Sequence, residues 1–159
     1  MFDKILVCLD GSKLAEQVLP YATEEALHFD NRLILLQVVT PPSSVVMPGV
    51  PGVPGAPVVP SGRAVAEAMQ KEESAVRAYL DSAARLIRAK GLKVDAVTLQ
   101  GVLVGQVIVG FAKDNKVDLI AMATHGRSGL SRAVMGSIAD YVMKESGLPI
   151  LIVRPKKEA

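Results

Sequence analysis

The chain has 159 residues, enough for one domain that buries about 70% of its unfolded surface, and half of its residues are hydrophobic while only 4% are aromatic. That composition suits an aliphatic core of the layered α/β kind and argues against a β-sandwich. A formal net charge of +2 leaves no surplus for a nucleic-acid stripe or a polybasic membrane anchor. Met1 leads straight into a strand pattern without a signal-peptide leader, and no apolar run approaches bilayer length, so the expected compartment is the cytosol, with neither membrane nor nucleic acid as partner.

The first expected strand, residues 4–9, is a continuous apolar run that ends in Asp10, Gly11 and Ser12. Cys8 has no second cysteine with which to form an internal disulfide and reads as a buried, inert thiol. Ser12 or Asp10 can cap the helix that follows, in which Leu14, Val18, Tyr21 and Ala22 recur at helical spacing. Pro20 falls inside that pattern and predicts a kink or a lost hydrogen bond. Asp10 reads either as a helix cap or as a carboxylate facing a ligand crevice from the end of a central parallel strand, and the two roles can coexist. His28, near the end of the helix, reads as a C-terminal helix residue. The second strand, 33–39, is apolar apart from Gln37, as expected in a sheet covered on both faces.

In residues 41–60, Pro48, Pro51, Pro54, Pro57 and Pro60 recur every third position, which predicts a mobile polyproline-like loop leaving the carboxyl end of the second strand. It is either a surface insertion or a lid beside the ligand crevice. Residues 63–90 turn helical, with Val65, Met69, Val76, Leu80, Ala83 and Ile87 on one stripe, and Met69 is assigned to the core. The third strand is 93–99, and Gly101 to Gly105 lead into a helix carrying Val107, Ile108, Phe111 and Ala112. The fourth strand, 117–122, is apolar enough to be buried on both faces. A last helix begins near Ser137, takes Ile138, Tyr141 and Val142 inward and stops at Gly147, a left-handed C-cap, before a fifth strand at 149–153.

Five strands alternating with four helices, joined by crossovers long enough for right-handed βαβ units, predict a three-layer α/β fold: an open, Rossmann-like parallel sheet in the order 3-2-1-4-5 within one domain, 1–159. That order sets the tips of strands one and four side by side at a topological switch point. Asp10 therefore converges with the run Ala123-Thr124-His125-Gly126-Arg127-Ser128-Gly129 and with Gly136-Ser137. A strand that feeds glycines into a helix N-terminus is an anion-binding geometry, because backbone N–H groups approach without a Cβ in the way and the helix start supplies unpaired donors. Ser137 adds a hydroxyl. The spacing matches neither the Walker pattern nor a G-x-G-x-x-G after a first strand. With only His28 and His125 present there is no metal cluster, and Ser128 has no acid–base partner at a predictable position. His125 either donates to a phosphate or shapes the turn, and Arg127 and Arg132 either clamp a phosphate or stand in solvent.

These residues resemble the universal stress protein family, whose nucleotide-binding members carry G-x2-G-x9-G-[ST] after the fourth strand. Gly126 and the pair Gly136-Ser137 fall in register with that motif, while Ala123 departs from its first glycine and its methyl either crowds a phosphate oxygen or is tolerated. The run Ala-Thr-His-Gly-Arg-Ser-Gly-Leu and the ending Leu-Pro-Ile-Leu-Ile-Val-Arg-Pro look like bacterial members, and the resemblance extends to both ends of the chain. It implies an ATP site in which Asp10 contacts the ribose and the backbone of Val38 the adenine edge. Leu9, Met122, Ala123, Gly126, Arg127, Gly129, Gly136, Ser137 and Ile138 complete that site. It also implies a homodimer in which the strand at 149–153 pairs antiparallel with its copy. The expected function is that of an ATP-binding cytosolic regulator of the stress response, with any Mg²⁺ held mainly by the phosphates and helped by Asp10 or Ser137. Two alternatives stay open: a dimeric interaction module that binds no nucleotide, and a weak ATP hydrolase, for which the chain supplies no Walker lysine and no obvious base.

Overall fold

The structure, a computed structural model, describes residues 2–41, 62–124, 135–154 and 156. Five strands, β1 (Lys4–Leu9), β2 (Arg32–Val39), β3 (Val94–Gln100), β4 (Leu119–Ala123) and β5 (Ile150–Val153), pair in parallel in the order β3-β2-β1-β4-β5. One face carries α1 (Lys13–Glu16), α2 (Val18–Phe29) and α3 (Gly62–Arg88), and the other carries α4 (Val104–Asp114) and α5 (Ser137–Glu145). This is the expected three-layer fold. Alternation along the strands divides the core: Ile5, Val7, Leu33 and Leu35 meet Val18, Ala22, Leu80 and Ala84 on the first face. Leu6, Ile34, Leu36 and Ile120 meet Ile108, Ala112, Ala139 and Val142 on the second. At the amino ends of the strands the Asp118 carboxylate accepts from the backbone N–H groups of Asp3 and Lys4, each at 2.9 Å, and ties the start of β1 to that of β4.

The first of the expected helices is divided at Gln17. Pro20 has no N–H to donate to the carbonyl of Glu16, and its ring would strike that carbonyl in a continuous helix. Breaking after Glu16 leaves Pro20 in the first turn of α2, where the missing donor has no helical partner to lose. The break also resets the inward stripe to Ala15, Val18, Ala22 and Ala26, so Tyr21, expected on that stripe, is 56% exposed. The Gln17 carboxamide turns to the end of the chain: its Nε2 donates to the Lys156 carbonyl at 2.7 Å and its Oε1 accepts from the Lys156 N–H at 2.8 Å.

Two further expectations are corrected. Met69 belongs to neither core cluster, because the buried residues of α3 begin only at Val76 and continue through Leu80, Ala84 and Ile87. The preceding turns of that 27-residue helix carry no buried residue and run on past the sheet. In α5 the sheet-facing residues are Ala139 and Val142, which turns Ile138 about a quarter-turn away and leaves it 40% exposed. Tyr141 is half-buried against α4, where its ring lies over Gly105. The stop at Gly147 is as expected: α5 ends on Ser146, and Gly147 takes φ 64°, a left-handed conformation that glycine adopts without a Cβ penalty. The expected loop at 41–60 lies, from residue 42 on, outside the described residues.

Candidate functional site

β1 leads to α1 on one face of the sheet and β4 to α5 on the other, so their carboxyl ends part around a crevice. Its volume is about 380 Å³, in the range of small-ligand pockets. Leu9 and Asp10 stand at the end of β1, Gln37 and Val38 at the end of β2, and Met122, Ala123 and Thr124 at the end of β4. The start of α5, from Gly136 to Ala139, forms one wall, with Val104 and Ile108 of α4 beside it. Glu72, from the overhanging part of α3, and Ala15 of α1 complete the other side. Of the residues singled out in the sequence, Leu9, Asp10, Val38, Met122, Ala123, Gly136, Ser137 and Ile138 thus line one cavity. Gly126, Arg127 and Gly129, like His125, Ser128 and Arg132, lie outside the described residues.

The two helix starts at the crevice are built differently. Before α1, Ser12 takes the N-cap: its Oγ accepts from the Ala15 N–H at 3.0 Å, and the Asp10 carboxylate accepts from the Ser12 N–H at 2.9 Å. Before α5, the N-cap is Gly136, and among the described residues no side chain caps the helix. The Gly136 N–H donates to the Thr124 carbonyl at 2.8 Å, and Thr124 is itself held by its N–H on the Val153 carbonyl at 3.0 Å. A Cβ on Gly136 would lie 2.6 Å from that Thr124 oxygen, so glycine is required by the closeness of two backbone segments rather than by its φ of −58°. The amides of the first turn of α5 consequently face the crevice with the positive end of the helix dipole.

Electrostatics at the floor are set by burial. Desolvation pushes the Cys8 thiol up to about 12, which keeps it protonated and unreactive although it borders the crevice. Tyr79, on the α3 side, is held above the usual phenol range first by burial and then by the neighbouring carboxylates of Glu16 and Asp10. Gln37 is the unexpected member. It is only 4% exposed, and its Oε1 is buried with no hydrogen-bond partner among the described residues. Leaving such an acceptor unpaired costs about 1–3 kcal/mol. Its one trace in the sequence is a lone polar residue in an otherwise apolar strand. Among the described residues no group of three or more His, Cys, Asp and Glu could hold a metal ion, and no helix is long and apolar enough to cross a membrane.

Fold and crevice define an open, doubly wound α/β domain with its cavity at the switch point. The sequence pattern of the universal stress protein family matches residues 1–154, and the chain belongs to that family. It is 32% identical over 159 residues to the universal stress protein MJ0531 of Methanocaldococcus jannaschii, covering 99% of this chain and 86% of that one. Among solved structures it is similar to MJ0577, from the same organism, with a TM-score of 0.82, 25% identity and 99% of each chain covered. A universal stress protein solved in complex with cAMP shares the fold with a TM-score of 0.63 at 19% identity, with 98% of each chain covered.

Proposed function

We propose that the crevice binds ATP and that the protein acts as a cytosolic, nucleotide-responsive regulator of the stress response. The observation that carries this reading is the start of α5: a helix N-terminus without a side-chain cap among the described residues, with a serine in its first turn, on the wall of a cavity of about 380 Å³. A family member that binds cAMP supports the adenine class of ligand. Asp10 would take the ribose and the Val38 backbone the adenine edge, with Leu9, Met122, Ala123 and Ile138 lining the cavity. Gly136, Ser137 and the segment bearing Gly126, Arg127 and Gly129 would surround the phosphates. Mg²⁺ would be held mainly by those phosphates, with Asp10 or Ser137 assisting. Hydrolysis is not part of the reading.

The test is nucleotide itself. ATP at a hundred times its dissociation constant is expected to stabilise the fold by about 2.7 kcal/mol, a rise in Tm of roughly 5–10 °C for a chain of this size. Mass spectrometry of nucleotide released from the purified protein checks the same point independently. A melting curve indifferent to millimolar Mg-ATP, with silent titration calorimetry, would leave in front the second reading, an interaction module without nucleotide. Two observations favour that alternative: Ala123 adds a methyl where the family motif has glycine, and the Gly136 N–H is already engaged by Thr124.

The protein is further proposed to be a two-fold dimer through β5. This strand lies at the sheet edge, and Ile150, Leu151 and Ile152 are only half-buried. Leu151 packs against the core, so a lysine there would test folding as well as assembly. Ile152→Lys is the cleaner change. Light scattering should give the mass of two subunits for the parent and of one for the variant, and a parent mass of one subunit would remove the dimer.

A further inference from the structure

Gln37 sits two positions short of the end of β2, level with Leu9 at the tip of β1. It is in register with Leu9 of β1 on one side and Thr98 of β3 on the other, so its neighbours on both sides are fixed by the sheet. Its side chain belongs to the face covered by α3, while the next residue, Val38, packs against the α4 and α5 side, yet both line the crevice. Nearly complete burial beside an open cavity, with an acceptor that no described residue satisfies, is the state of a polar group positioned for a ligand rather than for the protein. Leu9, Leu36 and Val38, which line the crevice with it, are apolar, and Thr98, its register partner in β3, does not satisfy its Oε1.

We infer that Gln37 reads the base of the bound ligand, and that the class it selects is a purine with an exocyclic amine beside a ring nitrogen. This inference rests on the nucleotide reading above and adds a residue and a chemical criterion to it. A carboxamide pairs with such an edge in two parallel bonds: Oε1 accepts from the 6-amino group and Nε2 donates to N7. The 6-amino group has two hydrogens, so the one pointing towards N7 can go to Gln37 while the other remains for the backbone at Val38. A base with a carbonyl at position 6 presents an acceptor to Oε1 and leaves that oxygen unpaired, a mismatch that polar sites reject strongly.

The experiment compares ATP with 7-deaza-ATP, which keeps the amine and lacks the N7 acceptor, on the parent and on Gln37→Leu, by titration calorimetry. The parent is expected to bind ATP about tenfold more tightly than 7-deaza-ATP. Gln37→Leu is expected to bind ATP about tenfold more weakly than the parent and to treat the two nucleotides alike. The leucine has nearly the volume of the glutamine and removes the orphaned acceptor, and far-UV circular dichroism verifies that the variant folds. The comparison on the parent needs no variant. Parent protein that binds ATP and 7-deaza-ATP equally well overturns the inference while leaving the nucleotide site in place, as does a leucine variant that retains the N7 preference. Parent protein that binds neither overturns the nucleotide reading and this inference together.

Discussion

Two helices begin at the crevice, one on each face of the sheet, and they treat their first amides in opposite ways. α1 is closed from within, because Ser12 caps it and Asp10 fixes Ser12. α5 begins at a glycine pressed against the Thr124 carbonyl and, among the described residues, has no side-chain cap. The chain could have placed Ser, Thr or Asp at either start, and the close approach of two backbones excludes any side chain at the second. The crevice therefore has one helix start closed by a side-chain cap and one that, among the described residues, has none.

The largest effect should come from breaking the second start. Gly136→Val places a carbon 2.6 Å from the Thr124 carbonyl oxygen, and that residue cannot withdraw without disturbing the bond of its N–H to the Val153 carbonyl of β5. The expected loss is about 3 kcal/mol in urea unfolding, and an unchanged midpoint would show that α5 can start elsewhere. A smaller and more discriminating pair separates the two starts. Ser12→Ala should cost about 1 kcal/mol of stability and leave ATP affinity unchanged, because it removes a cap that serves only α1. Ser137→Ala should leave stability within about 0.5 kcal/mol, since its exposed side chain caps nothing, and should weaken ATP about fivefold. Equal behaviour of the two alanine variants in both measurements would erase the distinction between a closed and an open helix start.

The strands were legible because apolar runs of four to eight residues between turn residues are local signals, and the sheet order followed from rules of connection that need no side-chain detail. β1 falls where the sequence puts it, and β2, β3 and β5 within a residue at either end. The helices were less legible where phase mattered. Pro20 announced a disturbance, but the proline acts on the carbonyl four residues earlier, so the break fell at Gln17 and turned Tyr21 outward. Ile138 looked inward because it is apolar, and only the packing of Ala139 and Val142 against the sheet shows that its direction is the crevice mouth. The crevice residues at the strand tips could be named in advance because strand order brings them together. Glu72 could not, since it reaches the site from a helix whose overhang is a matter of length relative to the sheet. The orphaned oxygen of Gln37 was equally hidden, because hydrogen-bond satisfaction is a property of three dimensions.

The long α3 has a mechanical consequence. From Val76 onward it is clamped to the sheet, whereas before Val76 it carries no fully buried side chain, Val65 and Met69 being half-buried and Glu73 accepting from Gln100 of β3 at 2.7 Å. A rod buried along only half its length opens first from its less buried half, so amide exchange along this single helix should rise towards Gly62 while residues after Val76 exchange only with global unfolding. Glu72 sits near the boundary between these regimes. A ligand touching it would therefore extend the clamped portion by a turn, and the site would report its occupancy as a change in the effective length of a helix.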